Sequence, residues 1–135
     1  MLAVPHIVIC GHTDCGAMKG ALQPEILKDL PHAKEWVSHT HKAALIVDEQ
    51  AGDASEQEKL DLLTRENVLL QIAHLQTHPT VAARLAAKKI QLHGWVYDIK
   101  SGGVVAYDDD KGAFVPVADK YQEAAAKAMG SAHDH

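Results

Sequence analysis

Apolar and polar residues alternate along this chain with two different periods, and the changes of period mark its elements. His6-Ile-Val-Ile-Cys10 is a short β-branched run stopped by Gly11. Flanked by turn residues, it predicts a strand buried on both faces of a parallel sheet. Ala17 to Leu22 predicts a short helix ending before Pro24, and Pro31 opens a longer helix reaching about Gln50, with Trp36, Val37, Ala44, Leu45 and Val47 as its apolar stripe. Ser55 and Glu58 have the spacing of a capping box, and Leu60, Leu63, Val68, Leu70 and Ile72 carry the next helix to about Gln76. A further helix runs from Thr80 to about Lys88, its Lys88-Lys89 end suiting the negative pole of the helix dipole. Ile90 to Ile99 and Val104 to Tyr107 predict two strands joined by a tight Ser101-Gly-Gly103 turn. Asp108-Asp-Asp110 predicts a solvated turn, and residues 117 to 129 a last, alanine-rich helix.

Helices interleaved with strands place the chain in the α/β class, and 135 residues with 47% hydrophobic content suffice for one ordinary core. The expected organisation is a single α/β domain over residues 1 to 130 with a disordered tail over 131 to 135. A net charge of −5, spread rather than blocked, argues against nucleic-acid binding, which needs a basic surface. No apolar run approaches the roughly 20 residues of a membrane span, and no signal-peptide pattern is present, so the expected location is the cytoplasm. Thiols stay reduced there, so Cys10 and Cys15 read as metal-binding or reactive residues rather than as a disulfide.

The chemistry gathers directly after the first strand. His12 and Cys15 lie across a short turn between Gly11 and Gly16, where an imidazole and a thiolate could share one tetrahedral zinc. A buried small thiol beside a loop histidine is the plainer reading of the same residues. Most other histidines (His32, His39, His41, His74 and His78) fall on polar helical or capping positions, and His133 and His135 lie in the tail.

The string Cys10-Gly-His-Thr-Asp-Cys-Gly-Ala-Met-Lys-Gly-Ala-Leu22 resembles the second zinc motif of the β-class carbonic anhydrases. Arg65-Glu-Asn67-Val, Val81 to Lys89, and Leu92-His-Gly-Trp-Val-Tyr-Asp98-Ile resemble that family's later landmarks in the same order. The resemblance covers roughly residues 2 to 108. It implies a β-carbonic-anhydrase-like fold with a mostly parallel sheet flanked by helices, His12 and Cys15 as zinc ligands, and a backbone N–H near Gly16 that orients substrate. It further implies zinc-dependent reversible hydration of carbon dioxide to bicarbonate, in a homodimer or higher oligomer. In the family Asn67 would sit near the active site and subunit interface, either bonded across a buried seam or on the surface. Trp95 and Tyr97 read as core-filling residues with Gly94 allowing close backbone approach, and Tyr97 is left out of the active site.

The family's first motif, C-x-D-S-R, supplies a third zinc ligand and an Asp–Arg pair, and no C-x-D-x-R occurs between Met1 and His135. Met1-Leu-Ala-Val reads as a start partway along a helix, with the N-terminal strands lacking and the edge of the first strand unpaired. Three functions therefore stand open. The first is a carbonic anhydrase, incomplete as this chain. The second is a non-catalytic zinc-binding or dimerising remnant. The third is a redox or metal-carrier module resting on Cys10-x-His12-x-x-Cys15.

Overall fold

The computed structural model describes residues 4 to 23, 25, 28 to 51 and 53 to 122. Its centre is a four-stranded sheet in the order β1-β2-β3-β4, formed by β1 (His6–His12), β2 (Gln91–Tyr97), β3 (Val104–Asp108) and β4 (Ala113–Pro116). β1 and β2 are parallel from His6 opposite Gln91 to His12 opposite Tyr97. The β2–β3 and β3–β4 pairs are antiparallel. The α/β class stands, but the sheet is mixed rather than mostly parallel. The last three strands are joined by tight turns, and a tight turn can only return the chain antiparallel.

The helices are α1 (Gly16–Leu22), α2 (Pro31–Val37), α3 (His41–Ala51), α4 (Glu56–Thr77), α5 (Pro79–Ala86) and α6 (Val117–Lys120). The single helix expected from Pro31 to Gln50 is interrupted at Ser38–Thr40 by a 3-10 turn. Ser38 and Thr40 donate their hydroxyls to the carbonyls of Glu35 and Val37, at 2.5 and 2.8 Å, in competition with the helix ladder. On α3, Ala43, Ala44 and Val47 are buried but Leu45 is 55% exposed, so Leu45 is not part of the stripe. The side chain of Trp36 and residues 123 to 135, including the expected end of the last helix and the tail, lie outside the described residues.

Ser55 caps α4 as its spacing predicts, accepting from the Glu58 N–H at 3.2 Å. β4 was not foreseen. Asp108 Oδ1 accepts from the N–H groups of Asp110 and Lys111, and Gly112 takes a left-handed φ of 61°, which together close a hairpin onto Phe114 and Val115.

α4 lies directly on the parallel pair. A Cβ added at Gly94 would stand 2.8 Å from Ile72 Cδ1 and 2.9 Å from Val68 Cγ1, and one at Gly11 would stand 3.0 Å from Val68 Cγ2. Val68 is 2% exposed and Leu63 is wholly buried, so the core forms on this face. Along β1 the burial alternates: Ile7, Ile9 and Gly11 face α4, while His6, Val8, Cys10 and His12 are exposed. The strand is therefore covered on one face and not on both, and among the described residues its outer edge has no partner strand.

On the other face α6 is tied to the sheet by polar groups. His93 stands 3.0 Å from His6 Nδ1 and 2.8 Å from the Tyr121 hydroxyl, which also accepts the Trp95 indole N–H at 2.9 Å. Partial burial, then the nearby His6 and Lys120, hold the His93 imidazole below its ordinary pKa.

Two measurements check these contacts. Gly94→Ala should cost about 1–3 kcal/mol in urea unfolding by overpacking, whereas Gly16→Ala, where an added Cβ meets nothing within 4 Å, should change stability by less than about 0.5 kcal/mol. A folded-state histidine pKa below the unfolded value stabilises above the ordinary value near 6.5 and loses that contribution as pH falls through it. Unfolding midpoints should accordingly drop as pH is lowered from about 7 toward 5, and His93→Gln should flatten that dependence.

Candidate metal centre

His12 is the last residue of β1 and stands opposite Tyr97 in the parallel register, so it lies at the carboxyl ends of the two strands. In α/β sheets this is where loops are free to carry chemistry, because the strands leave backbone groups and side chains directed beyond the sheet. Thr13 and Asp14 make the turn, Asp14 with a left-handed φ of 54°, a conformation that aspartate tolerates better than most residues. Cys15 follows as the extended residue before α1, its carbonyl accepting from the Lys19 N–H at 3.0 Å. The two residues predicted as ligands thus flank one two-residue turn.

Their side chains are prepared differently. The His12 imidazole is exposed, with Nδ1 2.9 Å from the Thr13 carbonyl oxygen. A carbonyl only accepts, so this bond places the proton on Nδ1 and leaves the Nε2 lone pair outward, as a metal-binding histidine requires. The Cys15 thiol is half-buried against the cluster of Met18, Ala43, Val47, Leu60 and Leu63. Gly16 faces open space, which leaves room for a small molecule beside the turn.

Cys10 shares the exposed face of β1 with His12, and its thiol lies 3.5 Å from the Gly11 carbonyl oxygen. Among the described residues, no three His, Cys, Asp or Glu side chains stand together to hold a metal ion. Cys10 therefore does not complete a set with His12 and Cys15: it projects from a sheet face, whereas Cys15 packs into the helical core. One imidazole and one thiol fit zinc in kind, but a catalytic zinc site takes three protein ligands. The donor chemistry fits and the donor number falls one short.

Asn67 is half-buried, its Oδ1 taking the Gln71 amide one turn on at 3.4 Å, and it lines a cavity of about 420 Å³ with Met18, Thr40 and Gln71 beneath α1. Tyr97, left outside the site by its sequence reading, is 39% exposed and takes part through its backbone, accepting the Thr13 N–H at 2.9 Å. Asp98, read along the chain only as part of a family landmark, also lies beside this turn. Thr13 and Asp98 line a second cavity of about 320 Å³ with Thr64, Arg65 and Ser101.

The carbonic anhydrase family model matches residues 1–104. This chain belongs to the β-carbonic anhydrase family. It is 44% identical over 119 residues to a carbonic anhydrase of Pseudomonas aeruginosa, an alignment covering 88% of this chain and 54% of that protein. Among solved structures it resembles the β-carbonic anhydrase CcaA, with TM-score 0.80 and 36% identity over 84% of this chain and 55% of that one. It also resembles the tetrameric β-carbonic anhydrases of Sordaria macrospora, with TM-score 0.65 and 26% identity over 83% of this chain and 54% of the other. The chain thus spans about half the length of the relatives it matches. In this β-carbonic anhydrase family member, the turn from His12 to Gly16 lies within the matched region.

The two thiols should behave differently toward metal. With cadmium as probe, Cys15→Ser should remove most of the ultraviolet thiolate-to-metal absorption of the purified chain, while Cys10→Ser should leave it essentially unchanged.

Proposed function

We propose that this chain is the portion of a zinc-dependent β-carbonic anhydrase that supplies His12 and Cys15 to the metal, in an enzyme that reversibly hydrates carbon dioxide to bicarbonate. The observation that carries this reading is the single turn holding an outward His12 Nε2 and the Cys15 thiol, at the carboxyl ends of a parallel pair, within a region that the family matches. Zinc in such a site acts as a Lewis acid that makes a nucleophile available near neutral pH.

The chain's own contribution is to hold the two donors at fixed spacing and to keep the side of Gly16 open, where the backbone N–H can orient a substrate oxygen. The third ligand and the Asp–Arg pair are assigned to polypeptide outside these 135 residues. The same polypeptide would pair the free edge of β1 and cover Val8, which is 40% exposed. No helix among the described residues is long and apolar enough to cross a membrane. A cytoplasmic location, a single domain over residues 1 to 130 and assembly into a homodimer or larger oligomer belong to this reading, the last in line with the tetrameric Sordaria structures.

A second reading is favoured by the missing third donor: a remnant of the family that binds zinc loosely or pairs with a complete subunit without catalysis.

Purified without added metal, the chain alone should carry well under about one zinc per molecule, because two ligands hold the ion weakly. Co-expression with a family N-terminal segment bearing C-x-D-S-R should bring zinc to about one per chain and yield stopped-flow carbon dioxide hydration. Zinc uptake without hydration would favour the remnant. In light scattering the isolated chain should appear as oligomers or aggregates through the unpaired β1 edge, and a monodisperse monomer would count against that edge being exposed.

A further inference from the structure

We propose that His6, His93, Trp95 and Tyr121 form a pH-sensitive latch, which seats α6 on the sheet while the two imidazoles are neutral and releases it as they take up protons. The latch stands at the start of β1, at the far end of that strand from His12, and does not rest on the metal reading.

Four groups bond in a line. The Trp95 indole N–H donates to the Tyr121 oxygen at 2.9 Å, that hydroxyl lies 2.8 Å from His93 Nδ1, and His93 Nε2 lies 3.0 Å from His6 Nδ1. An indole nitrogen only donates, so it sets the direction of the rest. Were His93 Nδ1 to donate to Tyr121 as well, the phenol proton would have no acceptor left in the line. Tyr121 therefore donates to His93 Nδ1, which places the His93 proton on Nε2 and sends it to the bare Nδ1 of His6. In this neutral arrangement each donor between Trp95 and His6 has its acceptor.

An added proton undoes that order. A bond between two ring nitrogens holds one hydrogen, so a singly charged pair that keeps its bond carries hydrogens on both remaining nitrogens. His93 Nδ1 then donates, the Tyr121 oxygen receives two donors, and its own proton is turned out of the line. A second proton would set N–H against N–H at 3.0 Å between two like charges, so the pair parts. Among the described residues lining the cavity beside His93, Lys120 and Asp109 are the charged ones, and α4 contributes the neutral Gln76. Asp109 is placed to favour a charge on His93, yet burial, then His6 on β1 and Lys120 on α6, hold the imidazole below its ordinary pKa. A charged His93 thus repels the helix that its neutral form holds. The latch is closed above the ordinary histidine value of about 6.5 and opens as pH falls below it.

The Tyr121 ring meets that of Trp95 edge-on at 6.2 Å, so Trp95 reports whether α6 is seated. Trp36→Phe leaves Trp95 as the single tryptophan of the full chain. Its quenching by acrylamide, which is uncharged, is followed from about pH 7.5 to 5.5 with circular dichroism in parallel. Quenching should rise reversibly while the circular dichroism holds, the ratio of released to seated form growing by up to about tenfold per pH unit for each proton bound. His93→Gln should make quenching independent of pH, Tyr121→Phe should raise it at neutral pH and flatten the curve, and His6→Gln should move the rise to higher pH. Constant quenching in the parent, a rise that comes only with loss of circular dichroism, or the same rise in both His93→Gln and Tyr121→Phe would overturn the latch. Should His93→Gln fail to fold, Tyr121→Phe, which deletes only a hydroxyl, decides; should Trp36→Phe fail, subtracting the curve of Trp95→Phe isolates the same signal.

Discussion

The structure depends on a backbone contact between one helix and two strands. Val68 of α4 touches the positions where Gly11 and Gly94 lack side chains, so the helix sits against the parallel pair more closely than any pair of Cβ-bearing residues would allow. This contact sets the distance of α4 from the sheet, with Thr64 and Ile72 in the same seam, while Leu60 and Leu63 of the same helix are buried against Met18, Ala43, Ala44 and Val47. It also holds β1 and β2 in register to their carboxyl ends, where Gly11 immediately precedes His12. Gly11, which precedes the turn begun at His12, thus serves close packing against α4.

The turn from His12 to Gly16 is held from two sides by different physics. Apolar packing against Met18 and the α3–α4 core fixes Cys15, whereas hydrogen bonds from the β2–β3 turn fix Thr13 and orient His12. Apolar packing tolerates small shifts, whereas a hydrogen bond such as that from the Ile99 N–H to the Thr13 hydroxyl weakens steeply with distance and angle. The turn is hydrogen-bonded on the histidine side and packed on the cysteine side, and among the described residues no three-donor cluster forms around it. Among the described residues, the open edge and exposed face of β1 belong to the same strand that ends in His12.

What could be read along the chain follows a consistent rule. Local signals were sufficient where one element's own residues dictate its form: Ser55 and Glu58 start α4, the glycines of the Ser101-Gly-Gly103 turn bend β2 into β3, and the motif from Gly11 to Gly16 links a strand to a helix. They were insufficient where side chains compete with backbone or where a partner is distant. Ser38 and Thr40 look compatible with a continuous helix until their hydroxyls take its carbonyls. β4 depends on an Asp108 carboxylate gathering the N–H groups of its own turn, and that same residue read simply as solvated charge.

The sequence by itself determined the family, the α/β class and the strand–turn–helix that carries His12 and Cys15, because each rests on residue types at short, fixed spacing. Tertiary structure alone decided which face of β1 is covered, that Cys10 joins no three-donor cluster among the described residues, and that the Ile99 N–H reaches back across the chain to the Thr13 hydroxyl. Periodicity can show that a strand has two faces but not whether a helix exists to cover both. The bonding of Thr13 to Tyr97 and Ile99 spans residues far apart in the chain, and only the parallel register of β1 on β2 brings them within reach.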